Sequence, residues 1–190
     1  VKALDRLLQS WRIRKAQGFI PRGARVLDVG CADGALFRQL GERIREGVGI
    51  DPSVGEPTQT ATFRIVPGAF PDDLPEAERF DAVTMLAVLE HIPLDKQREV
   101  AAACARCLEP GGRLIVTVPS PAVDRILHLL ESMRLIEGMA LHEHYGFEPW
   151  QTPSIFVPHG LRLARARKFQ LRLNNLFVFE KEKAGSLAPG

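Results

Sequence analysis

The chain is poor in cysteine, carries no excess of charge of one sign and has no long apolar run. Its three cysteines among 190 residues neither pair evenly nor form the framework of a disulfide-stapled secreted domain. Lys and Arg number 25 against 23 Asp and Glu, a net charge of +2, and both signs are spread along the chain. That balance excludes a large electrostatic footprint for nucleic acid, so no DNA partner is expected. No apolar stretch approaches the ~20 residues of a membrane span. The first fourteen residues are a charged amphipathic stretch instead of a signal peptide, and a cytoplasmic location is expected. Hydrophobic residues make up 45% of the chain, ample for one continuous core.

Against these absences, two short segments stand out. Residues 26–34 read Val-Leu-Asp-Val-Gly-Cys-Ala-Asp-Gly, and residues 48–51 read Val-Gly-Ile-Asp. Val26, Leu27 and Val29 are the apolar run of a strand buried on both faces. Gly30 and Gly34 bracket a tight turn into an amphipathic segment carrying Ala35, Leu36, Leu40 and Ile44. Glycine tolerates positive φ and lets a ligand lie against bare backbone near helix N-terminal amides. Such a strand and turn, followed by a second strand ending in Asp51, is the way an open α/β sheet grips a nucleoside.

Two ligands compete for this geometry. A dinucleotide needs the second glycine of Gly-x-Gly-x-x-Gly for its pyrophosphate, but Ala32 stands there, between Asp28 and Asp33. Two carboxylates would repel a pyrophosphate. S-adenosylmethionine carries no phosphate and presents an ammonium and a sulfonium, which acidic neighbours favour. Asp51 suits ribose hydroxyls, because a carboxylate accepts two hydrogen bonds at once.

At these residues, together with residues 80–93 (Phe-Asp-Ala-Val-Thr-Met-Leu-Ala-Val-Leu-Glu-His-Ile-Pro) and 108–119 (Leu-Glu-Pro-Gly-Gly-Arg-Leu-Ile-Val-Thr-Val-Pro), the chain resembles the class I S-adenosylmethionine-dependent methyltransferases, particularly the bacterial group related to quinone-biosynthesis enzymes. The resemblance runs from Arg25 to Ser120. It implies that Asp28, Gly30, Cys31 through its backbone, Ala32 and Gly34 hold the methionine end of the cofactor. It likewise implies that Asp51 and Pro52 face the ribose, and that Met85 and Leu86 form the wall beside the sulfonium. Where the family often has an acidic residue for the adenine, this chain runs Gly68-Ala69-Phe70. Phe70 packing on the ring and Asp72 accepting from it are the two substitutes. The methyl group of Ala32 is compatible with the loop while its φ stays negative.

The remaining pattern is that of alternating strands and helices. A helix is expected over about residues 2–17, with Ala3, Leu4, Leu7, Leu8 and Trp11 as its apolar face. Strands are expected at 63–66, 82–85 and 113–118. Residues 161–173 alternate apolar with basic, Asn174-Asn175 is a turn signal, and 176–180 is a second strand, together a closing antiparallel hairpin. The resemblance makes these strands six and seven of a Rossmann-like, mostly parallel sheet in the order 3-2-1-4-5-7-6. Strand 7 is then antiparallel, with helices on both faces. Cys104 and Cys107 form a Cys-x-x-Cys, but they share a helical face with Leu94, Val100 and Leu108 over 94–108 and read as buried small hydrophobes. The basic residues Arg162, Arg165, Arg167, Lys168 and Arg172 read as a charged, aggregation-resistant sheet edge.

One methyltransferase domain is therefore expected over 1–182, with an N-terminal helical cap at 1–20, an acceptor-side lid at 120–159 and a flexible tail at 183–190. The lid holds His142-Glu143-His144-Tyr145-Gly146-Phe147, and Met133, Met139, Trp150 and Phe156 are candidate apolar lining. Methyl transfer from a sulfonium asks mainly for in-line positioning. A hydroxyl acceptor also needs a base, for which His144 is the first candidate, then His142, then His91 beside the fourth strand. The expected acceptor is a small-molecule, lipid-linked or sugar-derived compound, methylated on oxygen; a monomer and a homodimer are both open. The alternative is a non-catalytic S-adenosylmethionine-binding or partner-activating subunit. Two readings rank lower. One is a metal-assisted RNA 2′-O-methyltransferase using Glu90, His91, His142 and His144, which lacks a ligand because Ala87 occupies the first glutamate position. The other is an NAD-linked oxidoreductase, opposed by Ala32 and the acid pair. The leading reading calls for no metal. Base amino-methylation is disfavoured because Met85-Leu86-Ala87-Val88 replaces the polar and aromatic residues that hold a base.

Overall fold

The computed structural model describes residues 2–120 and 148–183, with side chains from Arg6 onward. Its strands are β1 (Arg25–Val29), β2 (Glu46–Asp51), β3 (Thr58–Gln59), β4 (Phe63–Pro67), β5 (Phe80–Leu86), β6 (Leu108–Pro119), β7 (Leu161–Phe169) and β8 (Asn174–Lys181). The helices are α1 (Lys2–Ala16), α2 (Ala35–Leu40), α3 (Leu94–Cys107) and α4 (Thr152–Phe156). The strands form one sheet in the order β3-β4-β2-β1-β5-β6-β8-β7. β4, β2, β1, β5 and β6 are mutually parallel, while β8 runs antiparallel to both β6 and β7.

Removing β3 leaves the expected seven-strand order, so the difference is one added edge strand. β3 is two exposed residues pairing antiparallel with Ile65 and Arg64 of β4. Thr60 makes its return possible: the Thr60 hydroxyl donates to the Phe63 carbonyl at 2.9 Å and accepts the Phe63 N–H at 3.0 Å. Two polar residues carry no alternating pattern, which is why the strand leaves no sequence signal.

Each central strand is buried on both sides, as its apolar run demands. On one face Val26, Ala82, Ile115 and Val178 pack with Ile13, Ala16 and Ile20 around α1 and with Leu36, Phe37 and Leu40 of α2. On the other, Leu27, Val83, Met85 and Val116 pack with Val100, Ala101 and Cys104 of α3 and with Phe156 of α4. Gly49 lets the loop after β1 settle onto β2: a Cβ there would lie 2.5 Å from the Cys31 sulfur.

Three local expectations are corrected. The buried face of α1 is Ile13 and Ala16, continued by Ile20 beyond the helix, while Leu7 is 62% and Trp11 41% exposed. The sheet takes the C-terminal half of the helix, and the Leu7 and Trp11 face is left to solvent. In α3, Leu94 is exposed, whereas Val100, Cys104 and Cys107 are buried as expected. The hairpin turns at Gln170, Leu171 and Arg172, all at positive φ (51°, 55° and 69°), not at Asn174-Asn175. Both asparagines are buried strand residues. The Asn174 amide donates to the Gln170 side chain, and Asn175 Nδ2 donates to the Val118 carbonyl at 3.3 Å. Gln170 Nε2 in turn donates to the Leu8 carbonyl of α1 at 3.2 Å. The amide chemistry that reads as a bend is spent on closing the sheet end against α1, which offsets three left-handed residues that cost roughly 1–2 kcal/mol each.

Candidate functional site

The carboxyl ends of β1, β2 and β5 converge on the turn after β1. Gly30 adopts φ +70°, and a Cβ on it would meet a Val88 methyl at 2.4 Å. Its N–H donates to the Ile50 carbonyl at 2.9 Å. Glycine is required twice over here, by backbone sign and by close approach. Ala32 departs from expectation: its φ is +45°. What holds a methyl-bearing residue there is Asp51, whose Oδ2 accepts the Ala32 N–H at 2.7 Å.

Asp51 is buried at the end of β2 and accepts hydrogen bonds at both carboxylate oxygens. Its Oδ1 accepts the Ser53 N–H at 2.8 Å and the Ser53 hydroxyl at 2.6 Å. Burial opposes its charge, but these donors and the Ala32 amide outweigh it and draw the carboxyl below the ordinary aspartate value. Asp28 behaves in the opposite way. Burial, reinforced by the negative charge of Asp51 and only partly offset by the Thr84 hydroxyl, pushes it up to about 7; Thr84 Oγ1 donates to Asp28 Oδ1 at 2.6 Å. One acid at the site is held in its ionised form, while burial pulls the other toward its protonated form.

Two cavities adjoin at Gly30. The larger, about 410 Å³, is lined by Val29, Ile50, Pro52, Ala69, Phe70, Asp72, Val88 and His91, among others. The smaller, about 210 Å³, is lined by Gln9, Arg12 and Ile13 of α1 with Asp28, Cys31, Ala32, Leu86 and Ala87. The structure thus brings together Asp28, Gly30, Cys31, Ala32 and Leu86 on one side and Pro52, Ala69, Phe70 and His91 on the other, with Asp51 buried at the loop between them. Gly34 shapes the turn at φ +78°, its N–H donating to the Cys31 carbonyl at 2.9 Å, but it lines neither cavity. Met85 is fully buried in the core, and Leu86 and Ala87 supply the wall instead. The strand alternation sends Met85 to the α3 face and Leu86 to the α1 face.

Of the two substitutes after the third expected strand, both Phe70 and Asp72 line the larger cavity. The neighbouring Asp73 is occupied, accepting the Ala69 N–H at 2.8 Å. His142 and His144 lie outside the described residues. His91 ends the 3-10 turn Leu89–His91 and is exposed, whereas Glu90 in the same turn is buried. Cys31, Cys104 and Cys107 are all buried, with burial pushing Cys31 up to about 12 and Cys107 to about 11. Sequence reasoning missed Gln9 and Arg12, although their spacing with Ile13 and Ala16 places them on the sheet-facing side of α1. It also missed Val88, whose fit against Gly30 has no pattern of its own.

The chain matches the methyltransferase domain family over residues 2–170. Among curated relatives, a ubiquinone biosynthesis O-methyltransferase of Hahella chejuensis is 39% identical over 103 residues, covering 48% of this chain and 42% of that protein. A tRNA U34 carboxymethyltransferase of Methylococcus capsulatus is 35% identical over 117 residues, covering 54% of this chain and 35% of that protein. The chain thus spans less than half the length of these relatives. Among solved structures, the complex between the Haloferax volcanii Trm112 methyltransferase activator and its methyltransferase superposes with a TM-score of 0.72 at 18% identity, covering 96% of this chain and 94% of that one. The N-methyltransferase NodS from Bradyrhizobium japonicum in complex with S-adenosyl-L-homocysteine gives 0.65 at 16% identity, covering 93% and 86%. At such identities the likeness shows the fold alone. With the sheet order, the Gly30 turn and the family match in agreement, the chain belongs to the methyltransferase domain family, within the class I S-adenosylmethionine-dependent methyltransferases.

Proposed function

We propose that the chain is the catalytic domain of an O-directed methyltransferase that takes S-adenosylmethionine as donor and a small-molecule, lipid-linked or sugar-derived acceptor. The observation that carries this reading is the pairing of two cavities at Gly30 with two carboxylates beside it, one of them, Asp28, raised to about 7 by burial and by the charge of Asp51. A dinucleotide pyrophosphate would place its charge against both acids; a phosphate-free cation relieves them. The donor set fits an adenosyl amino acid.

In this reading Asp28 takes the ammonium and Arg12 the carboxylate of the methionine end. Asp51 keeps a free lone pair on Oδ2 for a ribose hydroxyl, and Phe70 with Ala69 packs the adenine while Asp72 accepts from its amino group. Leu86 and Ala87 exclude water from the region between donor and acceptor. When bound, S-adenosylmethionine supplies a methyl group already activated on sulfur. The protein's work is to hold an acceptor oxygen in line and to remove its proton. His144 is the first candidate for that base, then His142 and His91. Similarity to ubiquinone biosynthesis O-methyltransferases favours oxygen as the methylated atom.

Calorimetry with S-adenosylmethionine, S-adenosylhomocysteine and NAD tests the donor: the adenosyl ligands bind and NAD does not, while NAD binding alone overturns the reading. Turnover with catechol-type acceptors separates an enzyme from a non-catalytic subunit. His144→Ala is then expected to lower kcat by roughly 10²–10⁴-fold with S-adenosylhomocysteine affinity unchanged.

A further inference from the structure

The hairpin between β7 and β8 turns at the same edge of the sheet as the donor site. Asn174, the first residue of β8, pairs with Pro119 at the carboxyl end of β6, and Leu176 pairs with Thr117, whose partner on β5 is Leu86. Gln170 opens that turn. Its side chain is buried and bonded at both ends: Oε1 accepts from the Asn174 amide, and Nε2 donates to the Leu8 carbonyl of α1 at 3.2 Å. The Asn174 bond decides which way the Gln170 amide faces, because its oxygen must lie toward the Asn174 donor and its N–H groups then lie toward Leu8. Asn174 is itself held by strand pairing to Pro119 on one side and Phe169 on the other. A line of fixed groups thus runs from the sheet to the main chain of α1. Gln170 keeps this place at φ +51°, a backbone that a non-glycine residue holds where its surroundings over-determine it.

Apolar contact anchors α1 through Ile13, Ala16 and, beyond the helix, Ile20, while Leu7 and Trp11 are exposed. Such contact is non-directional and sets the rotation and axial position of a helix only coarsely; a hydrogen bond to a main-chain carbonyl fixes both. α-Helix geometry gives the Leu8 carbonyl to the Arg12 N–H, and its second lone pair is the one that Gln170 takes. Leu8 precedes Gln9 and lies one turn from Arg12, the two polar residues that α1 contributes to the smaller cavity. We propose that Gln170 is a positioning residue for donor binding: from the end of the sheet it holds α1 so that Gln9 and Arg12 meet the amino-acid end of S-adenosylmethionine. This rests on the donor reading above. The larger cavity, assigned there to the adenosine, has no α1 residue in its lining among the described residues, so the effect is confined to one end of the ligand.

The test compares S-adenosylhomocysteine with 5′-methylthioadenosine, which keeps the adenosine and the sulfur but lacks the amino-acid end. In Gln170→Met, calorimetry is expected to show S-adenosylhomocysteine binding weakened roughly three- to tenfold, the range of one net hydrogen bond, with 5′-methylthioadenosine affinity unchanged. Gln170→Met/Asn174→Val leaves neither member of the amide pair orphaned, which guards against a merely unstable protein, and it is expected to give the same split. Amide hydrogen exchange of the ligand-free proteins reads the tether without any ligand: exchange in α1 around Arg12 rises in both variants, while β1 and β5 keep the parent's protection. Equal weakening of both ligands, unchanged S-adenosylhomocysteine affinity, or unchanged α1 exchange overturns the proposal. A parent protein that binds neither ligand, with α1 exchange still responding to Gln170→Met, brings down the donor reading and the donor role of Gln170 with it, and leaves the tether of α1 standing.

Discussion

Asp51 Oδ2 accepts the main-chain N–H of Ala32 at 2.7 Å, so the carboxylate closing β2 holds the turn that closes β1. The other oxygen takes two donors from Ser53. A residue read as a ligand contact is therefore first a splint for the binding loop. Asp51→Ala removes three charge-assisted hydrogen bonds and releases an alanine held at φ +45°. A loss of about 2–4 kcal/mol in folding stability is expected, together with weaker S-adenosylhomocysteine binding. Because the folded carboxyl lies below its ordinary value, this stabilisation is complete above roughly pH 4 and disappears as pH falls through the folded value. Denaturant titrations from neutral to acid pH check this: the variant shows a shallower acid decline than the parent.

The Cys-x-x-Cys pair gives a second expectation. Cys104 and Cys107 are buried in α3, and the Cys107 sulfur donates to the Cys104 carbonyl at 3.4 Å. Burial raises both thiols above their ordinary value, and Cys31 as well. Thiolate is the reactive form, so all three are chemically quiet in the folded state. A colorimetric disulfide reagent should label no thiol in native protein and three after denaturation. Fast labelling of one or two native thiols would contradict this burial.

How much of this was legible in the sequence follows from where the free energy is local. β1 and the turn after it were readable because Val26, Leu27 and Val29 form a continuous run that Gly30 must end, and the clash of any Gly30 side chain with Val88 gives that glycine its reason. The ends of α1 were readable too, but its buried face was not. Leu7 and Trp11 are as apolar as Ile13, and only the position of the sheet decides which side it covers. Asn174 and Asn175 misled for the same reason. Their amides serve either a bend or a strand end, and Gln170 and Val118, which select the second, are supplied by tertiary structure. Arg12 reaches the site from a helix whose own pattern carries no mark of a ligand.

With Asp28 at the ammonium, as proposed, donor binding depends on pH. Its folded value of about 7 lies well above an unfolded aspartate, so in the free protein its contribution to stability is fully present below roughly pH 4 and is lost as pH rises through about 7. An ammonium beside it draws the value down, so binding below pH 7 releases a proton. S-adenosylhomocysteine affinity should therefore rise with pH up to about 7 by as much as roughly tenfold per pH unit, then level off. Calorimetry at pH 6 in two buffers of different ionisation enthalpy should report the released proton, and Asp28→Asn should abolish both the release and the pH dependence. A wild-type protein that binds equally well at pH 6 and pH 8 would remove Asp28 from the ammonium site.

Gly30 and Val88 offer a test that separates backbone strain from steric contact. A Cβ on Gly30 meets Val88 Cγ2 at 2.4 Å, and the residue sits at φ +70°. Gly30→Ala should therefore cost roughly 1–2 kcal/mol for the left-handed backbone and a further 1–3 kcal/mol, about the size of an overpacked core contact, for the collision. Val88→Ala alone costs about 1–2 kcal/mol as a partly buried truncation. Added to Gly30→Ala it removes the colliding methyls, so the double variant should be more stable than the sum of the two single losses predicts. The backbone part is not recoverable, and S-adenosylhomocysteine binding should stay weak in the double variant because the added methyl projects at the junction of the two cavities. Strict additivity in denaturant unfolding would mean that Val88 does not enforce the glycine, leaving the sign of φ as the sole reason for its presence.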